Sequence, residues 1–209
     1  MSASAVQICN LGLLKFGDIT IVSLTEDTRE GRACAILYPQ MRDLMLSTHP
    51  WNFAMKRADI SADLVTTPAF QWDYAYTLPV DCLQVWELYG STAEWQIENG
   101  TLLTNQETEI YIRYLKTFET TGTFSPSFVN CLALRIGAEM SAKIKGNSGK
   151  RAALLQELYQ VELPRAYRLN AIEGNRVLTA GEQSMDNANY SWQYQGRNIG
   201  VVEDKVFST

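Results

Sequence analysis

The chain has 209 residues, of which 46% are hydrophobic and 20% charged, and its formal net charge is −5. This composition supplies ample apolar material for a packed core and excludes global disorder. The negative balance argues against a general nucleic-acid binder, because neutralising phosphates requires a basic surface. No apolar run approaches the ~20 residues of a membrane-spanning helix, and the first residues lack the pattern of a secretory signal. We therefore expect a soluble protein that is made in a cytosol and does not insert into membranes.

The charge is unevenly distributed along the chain. Residues 59–124 contain two basic and ten acidic residues, a net charge of −8, whereas residues 125–176 contain eight basic and four acidic residues, a net charge of +4. An acidic middle between less acidic flanks predicts that the middle is a separate structural unit with its own exposed surface.

Two helices are predicted at the start of the chain. Apolar spacing indicates a helix over residues 4–16, and its apolar stripe is wide enough for burial on most sides. Ser23 and Glu26 form a capping-box pattern, which predicts a second helix that follows and runs to about Ser47. Pro39 lies inside this second helix and is expected to bend it.

From Trp51 onward the pattern becomes that of β-strands. Residues 72–78, 83–89 and 109–115 alternate between apolar and polar, and Asn99-Gly100 is a two-residue hairpin signal. These features predict an inserted antiparallel β unit of about four to six strands over residues 51–124.

Helical spacing returns at Ser125-Pro126, a cap residue followed by proline at the first helical position. One helix is predicted to reach about Lys145, and a second to reach Gly174 with a kink at Pro164. The predicted fold class is α+β: a four-helix bundle of two N-terminal and two C-terminal helices, with the inserted antiparallel β unit and an extended C-terminal arm. The bundle domain comprises residues 1–50 and 125–175, the β domain residues 51–124, and the arm residues 176–209.

The arm is richer in large apolar side chains than a free tail normally is. We therefore expect it to contact a neighbouring protein, although an arm that folds back on its own helices remains an alternative. The candidate contact residues are Tyr190, Trp192, Tyr194, Ile199, Val201, Val202 and Phe207.

The sequence contains no motif for nucleotide binding, nucleophilic catalysis or metal binding, so no cofactor, metal or enzymatic activity is predicted. His49 is the only histidine, and we expect it to be structural or exposed. The four cysteines lie far apart in apolar surroundings and are expected to be small buried residues, at positions Cys9, Cys34, Cys82 and Cys131.

Two other functions remain open. Acidic residues near tryptophans in the β unit are typical of glycoside hydrolysis, and they are Asp73, Asp81, Glu87, Glu94 and Glu98 with Trp72, Trp86 and Trp95. A cellular binding module would instead use basic helical residues to touch DNA or an acidic partner, namely Arg135, Lys143, Lys145, Lys150, Arg151, Arg165, Arg168 and Arg176.

The order of several segments resembles the tail tubular protein A family, the head-to-tail adaptors (connectors) of short-tailed bacteriophages. The resemblance covers about residues 4–175 and rests on structural motifs, which include residues 5–18, residues 23–30, Tyr38-Pro39-Gln40-Met41-Arg42-Asp43, His49-Pro50-Trp51-Asn52-Phe53-Ala54 and Leu78-Pro79-Val80-Asp81-Cys82-Leu83.

This resemblance implies a structural virion protein of the head-tail junction, without enzymatic activity. It implies a ring, commonly twelvefold, that docks beneath the portal protein, receives the tail nozzle or tail tube, and lets DNA pass through its lumen during genome ejection. The helices would form the ring and meet the portal, the β unit would point toward the tail, and the arm would embrace the portal.

Overall fold

Helices at both ends of the described chain flank six strands in its middle. The computed structural model describes residues 3–63, 67–107, 109–118 and 121–173. The helices of this part are α1 (Ala5–Lys15), α2 (Arg29–Ser47), α3 (Pro126–Lys145), α4 (Ser148–Glu157) and α5 (Leu163–Ile172). Its strands are β1 (Met55–Ile60), β2 (Tyr74–Thr77), β3 (Cys82–Leu88), β4 (Trp95–Glu98), β5 (Thr101–Thr104) and β6 (Ile110–Lys116).

Local capping residues set the ends of the helices. Ser4 and Gln7 form a capping box at the start of α1, and the Ser125 hydroxyl accepts a hydrogen bond from the Phe128 amide at the start of α3. The start of α2 differs from the prediction. Its cap is Thr28, and the Glu26 carboxylate accepts from the Val22 amide at 2.8 Å, so residues 23–28 belong to a loop.

The strands form two antiparallel sheets, with the orders β1-β6-β3 and β2-β5-β4. The predicted hairpin is confirmed: Asn99 and Gly100 join β4 to β5, and both have positive φ (47° and 75°), as a two-residue turn of this kind requires. Apolar side chains from the two sheets share one core, made of Tyr76, Val85, Leu88, Leu102, Ile110, Ile112 and Tyr114.

Strand β6 belongs to both hydrophobic cores of the described chain. Ile110, Ile112 and Tyr114 face the sheet core, whereas Leu115 is buried among the helices. Met55, opposite Leu115 in the register of β1 and β6, also packs against the helical core. One end of the β1-β6-β3 sheet is therefore covered by helices.

The prediction of a four-helix bundle is wrong, although the chain has both helices and antiparallel sheets. Helix α3 is central: it packs against α1, α2, α4 and α5, whereas α1 and α2 barely meet. Eleven residues of α3 are buried, and they point in all directions around its axis. The helices therefore surround a buried central helix. They do not form a bundle of two N-terminal and two C-terminal helices.

The predicted last helix is divided into three parts. Helix α4 passes into a π-helical turn, Leu158–Glu162, before α5 begins. Pro164 lies just after this turn and has no amide hydrogen to donate, so the preceding turn loses one α-helical bond. The irregularity predicted at Pro164 is thus present, but it takes the form of a wider turn on the N-terminal side of the proline.

Helices α1 and α3 are in close contact at two glycines, Gly12 of α1 and Gly137 of α3. A Cβ atom on Gly12 would lie 2.9 Å from the Ala133 carbonyl oxygen, and one on Gly137 would lie 2.7 Å from the Gly12 carbonyl oxygen. Both neighbouring atoms are backbone atoms, which cannot rotate away. The packing of α1 on α3 therefore requires the absence of a side chain at both positions.

We expect Gly137→Ala to lower the free energy of unfolding by about 2 kcal/mol, because overpacking costs more than the helix propensity gained from alanine. The melting temperature would fall by roughly 4–8 °C. Gly149→Ala in α4 is the matched control, since its nearest neighbouring atom would lie at 3.5 Å. Equal melting temperatures for the two variants would refute the close-contact interpretation.

Candidate interaction surfaces

Two of the acids suggested for hydrolysis are held in ion pairs. The Asp81 carboxylate accepts hydrogen bonds from Lys56 and from the Tyr114 hydroxyl, each at 2.9 Å. The bond from Lys56 holds the pKa of Asp81 below its usual range. The Glu87 carboxylate accepts from Arg113 at 2.8 Å. A general acid must be protonated near neutral pH, and the hydrogen bond from Lys56 favours the ionised form of Asp81.

The other candidate acids are on the surface, and the tryptophans do not offer exposed platforms. Asp73, Glu94 and Glu98 are exposed, and Glu98 ends strand β4 at the hairpin. Trp72, Trp86 and Trp95 are each half-buried, and Trp95 packs against the sheet core. In the described part of the chain, these side chains do not make a groove with two free carboxylates.

The β1-β6-β3 sheet carries a concavity of about 490 Å³ that the sequence analysis missed. Its exposed aromatic side chains are Tyr89 and Tyr111, and Arg113 lies next to Arg57 in the register of β1 and β6. This face of the sheet carries charges of both signs: the acidic residues Asp59 and Glu87 lie beside Arg57 and Arg113. The alternation of β6 predicts that Tyr111 and Arg113 share a face, but the pairing with β1 and β3 cannot be read from it. The lining residues are Arg57, Ala58, Asp59, Tyr89, Tyr111, Ile112 and Arg113.

His49 is a packing residue in the structure. Its ring stacks on Tyr167 with 4.3 Å between ring centroids, and its Nε2 lies 3.1 Å from Nδ2 of Asn170. The Asn170 Oδ1 accepts from the Asn52 amide and its Nδ2 donates to the Pro50 carbonyl, which fixes the orientation of the Asn170 amide. His49 Nε2 must therefore accept a hydrogen bond, and burial lowers the pKa of His49 to about 4.

The cysteines are free thiols, and three of them fulfil the prediction of burial. Cys9, Cys34 and Cys131 are fully buried in the helical core, whereas Cys82 is half-buried. Burial raises the pKa of Cys131 to about 12 and also raises that of Cys82. Such thiols carry little thiolate at neutral pH, so they are poor nucleophiles.

In the described residues, no group of three or more His, Cys, Asp or Glu side chains is placed to hold a metal ion. No helix of this part combines the length and the apolar character that crossing a bilayer demands.

The basic residues of the C-terminal helices are only partly available for a ligand. Arg135 and Arg151 both pair with Glu139, and Lys145 donates to the Gly17 carbonyl at 2.6 Å. Four others are exposed without a side-chain partner in the described part of the chain: Lys143, Lys150, Arg165 and Arg168. Arg176 lies outside the described residues.

Large apolar side chains are exposed on several elements of the described helical part, which include Ile36 and Leu44 of α2 and Tyr159 and Val161 of the π-helical turn. Two further exposed pairs lie in the segment after α1 and on α5. The first, named the loop patch, consists of Ile19 and Val22 in the segment after α1, which are 78% and 89% exposed. The second, named the α5 patch, consists of Leu169 and Ile172, which are 44% and 76% exposed. Leu11 and Leu14 of α1 also face solvent, so the wide apolar stripe predicted for this helix is covered on one side only.

The predicted arm contacts lie outside the described residues, which end at residue 173. They are Tyr190, Trp192, Tyr194, Ile199, Val201, Val202 and Phe207.

Comparison with protein-family models finds no match to this chain, and a search among curated proteins also finds none.

The unfolding free energy is expected to fall by roughly 1–3 kcal/mol as the pH drops from about 6.5 to 4, because the unfolded chain binds a proton at His49 before the folded chain does. The loss is complete near pH 4, below which both states are protonated at this residue. Urea titrations at several pH values measure the effect, and nuclear magnetic resonance can follow the single histidine directly.

His49→Gln is the control for this prediction, since it retains a hydrogen-bond acceptor for Asn170 but does not titrate. The variant should lose most of the pH dependence between 6.5 and 4. An unchanged dependence would show that other groups cause it.

Proposed function

We propose that this chain is a structural head-to-tail adaptor of a phage virion. In this role it forms a ring between the portal protein and the tail nozzle or tail tube, and DNA passes through the lumen. It acts at the head-tail junction after synthesis in the host cytoplasm. The proposal rests on the resemblance of residues 4–175 to such adaptors and on one structural observation, the exposed apolar surfaces of the helical part.

The exposed apolar surfaces support a subunit of an assembly more than a catalyst. The loop patch and the α5 patch lie on different elements, and both expose aliphatic side chains to solvent. A subunit of a ring needs two different surfaces, because each copy meets one neighbour on either side. The described helical part exposes apolar side chains on several elements, among them the loop patch and the α5 patch.

The hydrolytic alternative has less support in the geometry. Asp81 and Glu87 are paired with basic side chains, and the three tryptophans are half-buried. The concavity next to Glu87 is the one observation that favours it. A cellular binding module would bind its ligand through the basic helices. Only four of their candidate basic side chains lack an internal partner in the described chain.

The arm gives a direct test of the adaptor. We expect the full chain to co-sediment with the portal protein of the same genome, and Trp192→Ala/Tyr194→Ala/Phe207→Ala to weaken this binding at least tenfold, since aromatic side chains dominate the energy of interfaces. The variant Phe70→Ala/Tyr89→Ala is a control, because it removes exposed aromatic side chains from the β unit. Equal portal binding by all these chains would contradict the arm assignment, and no binding by the native chain would contradict the adaptor.

The hydrolytic alternative is tested by turnover. We expect the native chain to release no reducing sugar from neutral or acidic polysaccharides above the protein-free rate. Turnover that disappears in Glu87→Gln but persists in Glu98→Gln would establish the alternative instead, because only Glu87 lies beside the concavity.

A further inference from the structure

The concave face of the β1-β6-β3 sheet places two arginines side by side. Arg57 of β1 lies directly opposite Arg113 of β6, so both side chains leave the sheet on the same face, and both line the concavity of about 490 Å³. Like charges directly opposite each other destabilise a pair of strands. The pair is therefore unfavourable by itself, and a negative group bound between the two arginines would relieve the repulsion.

Glu87 compensates only one of these two positive charges. Its carboxylate accepts from Nη1 of Arg113 at 2.8 Å. The Nε of Arg113 is a buried donor without an acceptor, and the Arg57 side chain has no ion pair or hydrogen bond, among the residues that the structure describes. Free guanidinium donors in a fixed planar arrangement are suited to the two oxygens of a carboxylate or to the oxygens of a phosphate.

Asp59 limits how much negative charge the concavity can take. It lies on the same face as Arg57, opposite Tyr111 in the register, and it is exposed. Together with Glu87 it balances the two arginines, so a ligand with two or more negative charges would be repelled by both carboxylates. A singly charged carboxylate fits this balance better than a phosphate monoester does.

Two tyrosines form the remaining exposed part of the concavity. The Tyr89 amide donates to the Tyr111 carbonyl at 2.7 Å, and the side chains are 62% and 54% exposed. Both also line an adjoining concavity of about 310 Å³. Exposed aromatic rings offer a flat apolar surface on which a planar group can pack. The arrangement therefore suits a ligand in which a planar apolar body is attached to the carboxylate.

We propose that this concavity binds a small monocarboxylate with a planar apolar body. The carboxylate accepts hydrogen bonds from Arg57 and Arg113, and the body packs against Tyr89 and Tyr111. The volume lies within the range of roughly 300–1,000 Å³ that is typical of small-molecule sites. The proposal concerns binding alone and does not depend on the adaptor function, since the site uses none of the apolar surfaces of the helical part.

Benzoate is the probe, and it is titrated into the full chain labelled with ¹⁵N while the nuclear magnetic resonance spectrum is recorded. We expect saturable shifts of the amides around Tyr111 and Arg113. Benzamide has the same shape without the charge and should bind roughly tenfold more weakly, and inorganic phosphate should also bind more weakly than benzoate. Benzamide or phosphate binding as tight as that of benzoate, or the absence of saturable shifts on this sheet, would overturn the proposal.

An arginine variant tests the charged end of the site. Arg57→Gln should weaken benzoate binding roughly tenfold, because it removes a charge-assisted hydrogen bond. Arg168→Gln is the matched control, since Arg168 of α5 is also exposed and partner-free in the described chain, and it should bind benzoate as the native chain does. Melting temperatures verify that both variants are folded. Equal affinities of the two variants would contradict the assignment of Arg57.

Glu87→Gln gives a readout that a merely structural role would not. The substitution removes a negative charge beside the site and frees Nη1 of Arg113, so benzoate should bind several-fold more tightly and the preference over phosphate should shrink. Weaker benzoate binding by the folded variant would show that Glu87 does not compete with the ligand and would overturn the charge argument.

Tyr111→Leu tests the aromatic end separately. It should weaken benzoate binding but leave the binding of acetate unchanged, because acetate has no planar body to pack on the ring. Equal losses for the two carboxylates would contradict the packing role. Portal binding should be the same for the native chain and Arg57→Gln, so the failure of this proposal can be told from the failure of the adaptor.

Discussion

The close contact between α1 and α3 at Gly12 and Gly137 is the constraint on which the helical part depends. Because neither glycine has a side chain, the two backbones lie so close that a Cβ atom at either position would overlap a carbonyl oxygen of the other helix. Ile8, Cys9 and Leu13 of α1 are then buried against the interior. This orientation of α1 about its own axis leaves Leu11 and Leu14 exposed to solvent. The packing of the core thus decides which apolar residues are available to partners.

The central position of α3 follows from the same constraint. A helix buried on every side needs neighbours all around it, and α1, α2, α4 and α5 provide them. Leu115 of β6 is buried in the same core, so the helices also cover one end of the β1-β6-β3 sheet.

Local signals in the sequence predicted the elements well, because caps and turns depend on neighbouring residues. Ser125 caps α3, and Asn99-Gly100 forms the hairpin, as their chemistry requires. The arrangement of the helices was predicted wrongly, since apolar spacing shows which face is buried but not which helix covers it. The pattern of Ser23 and Glu26 predicted the wrong start for α2, because a carboxylate can also accept a hydrogen bond from a backbone amide within a loop, here that of Val22.

The candidate surfaces were predictable only in part. The wide apolar stripe of α1 indicated burial on most sides. The shape of the loop patch depends on the two hydrogen bonds between Asn10 and Ile21, a contact that no spacing rule predicts. The concavity on the sheet requires the register of three strands. In contrast, the isolation of His49 in the sequence indicated a structural or exposed side chain, and the structure shows that it is structural.

Electron microscopy of the chain incubated with its portal protein tests the central claim most directly. The account predicts closed rings of the chain with an axial channel, stacked on the portal and showing one repeated contact between neighbouring copies. Portal particles that carry no added ring, at chain concentrations that saturate any weak contact, would contradict it.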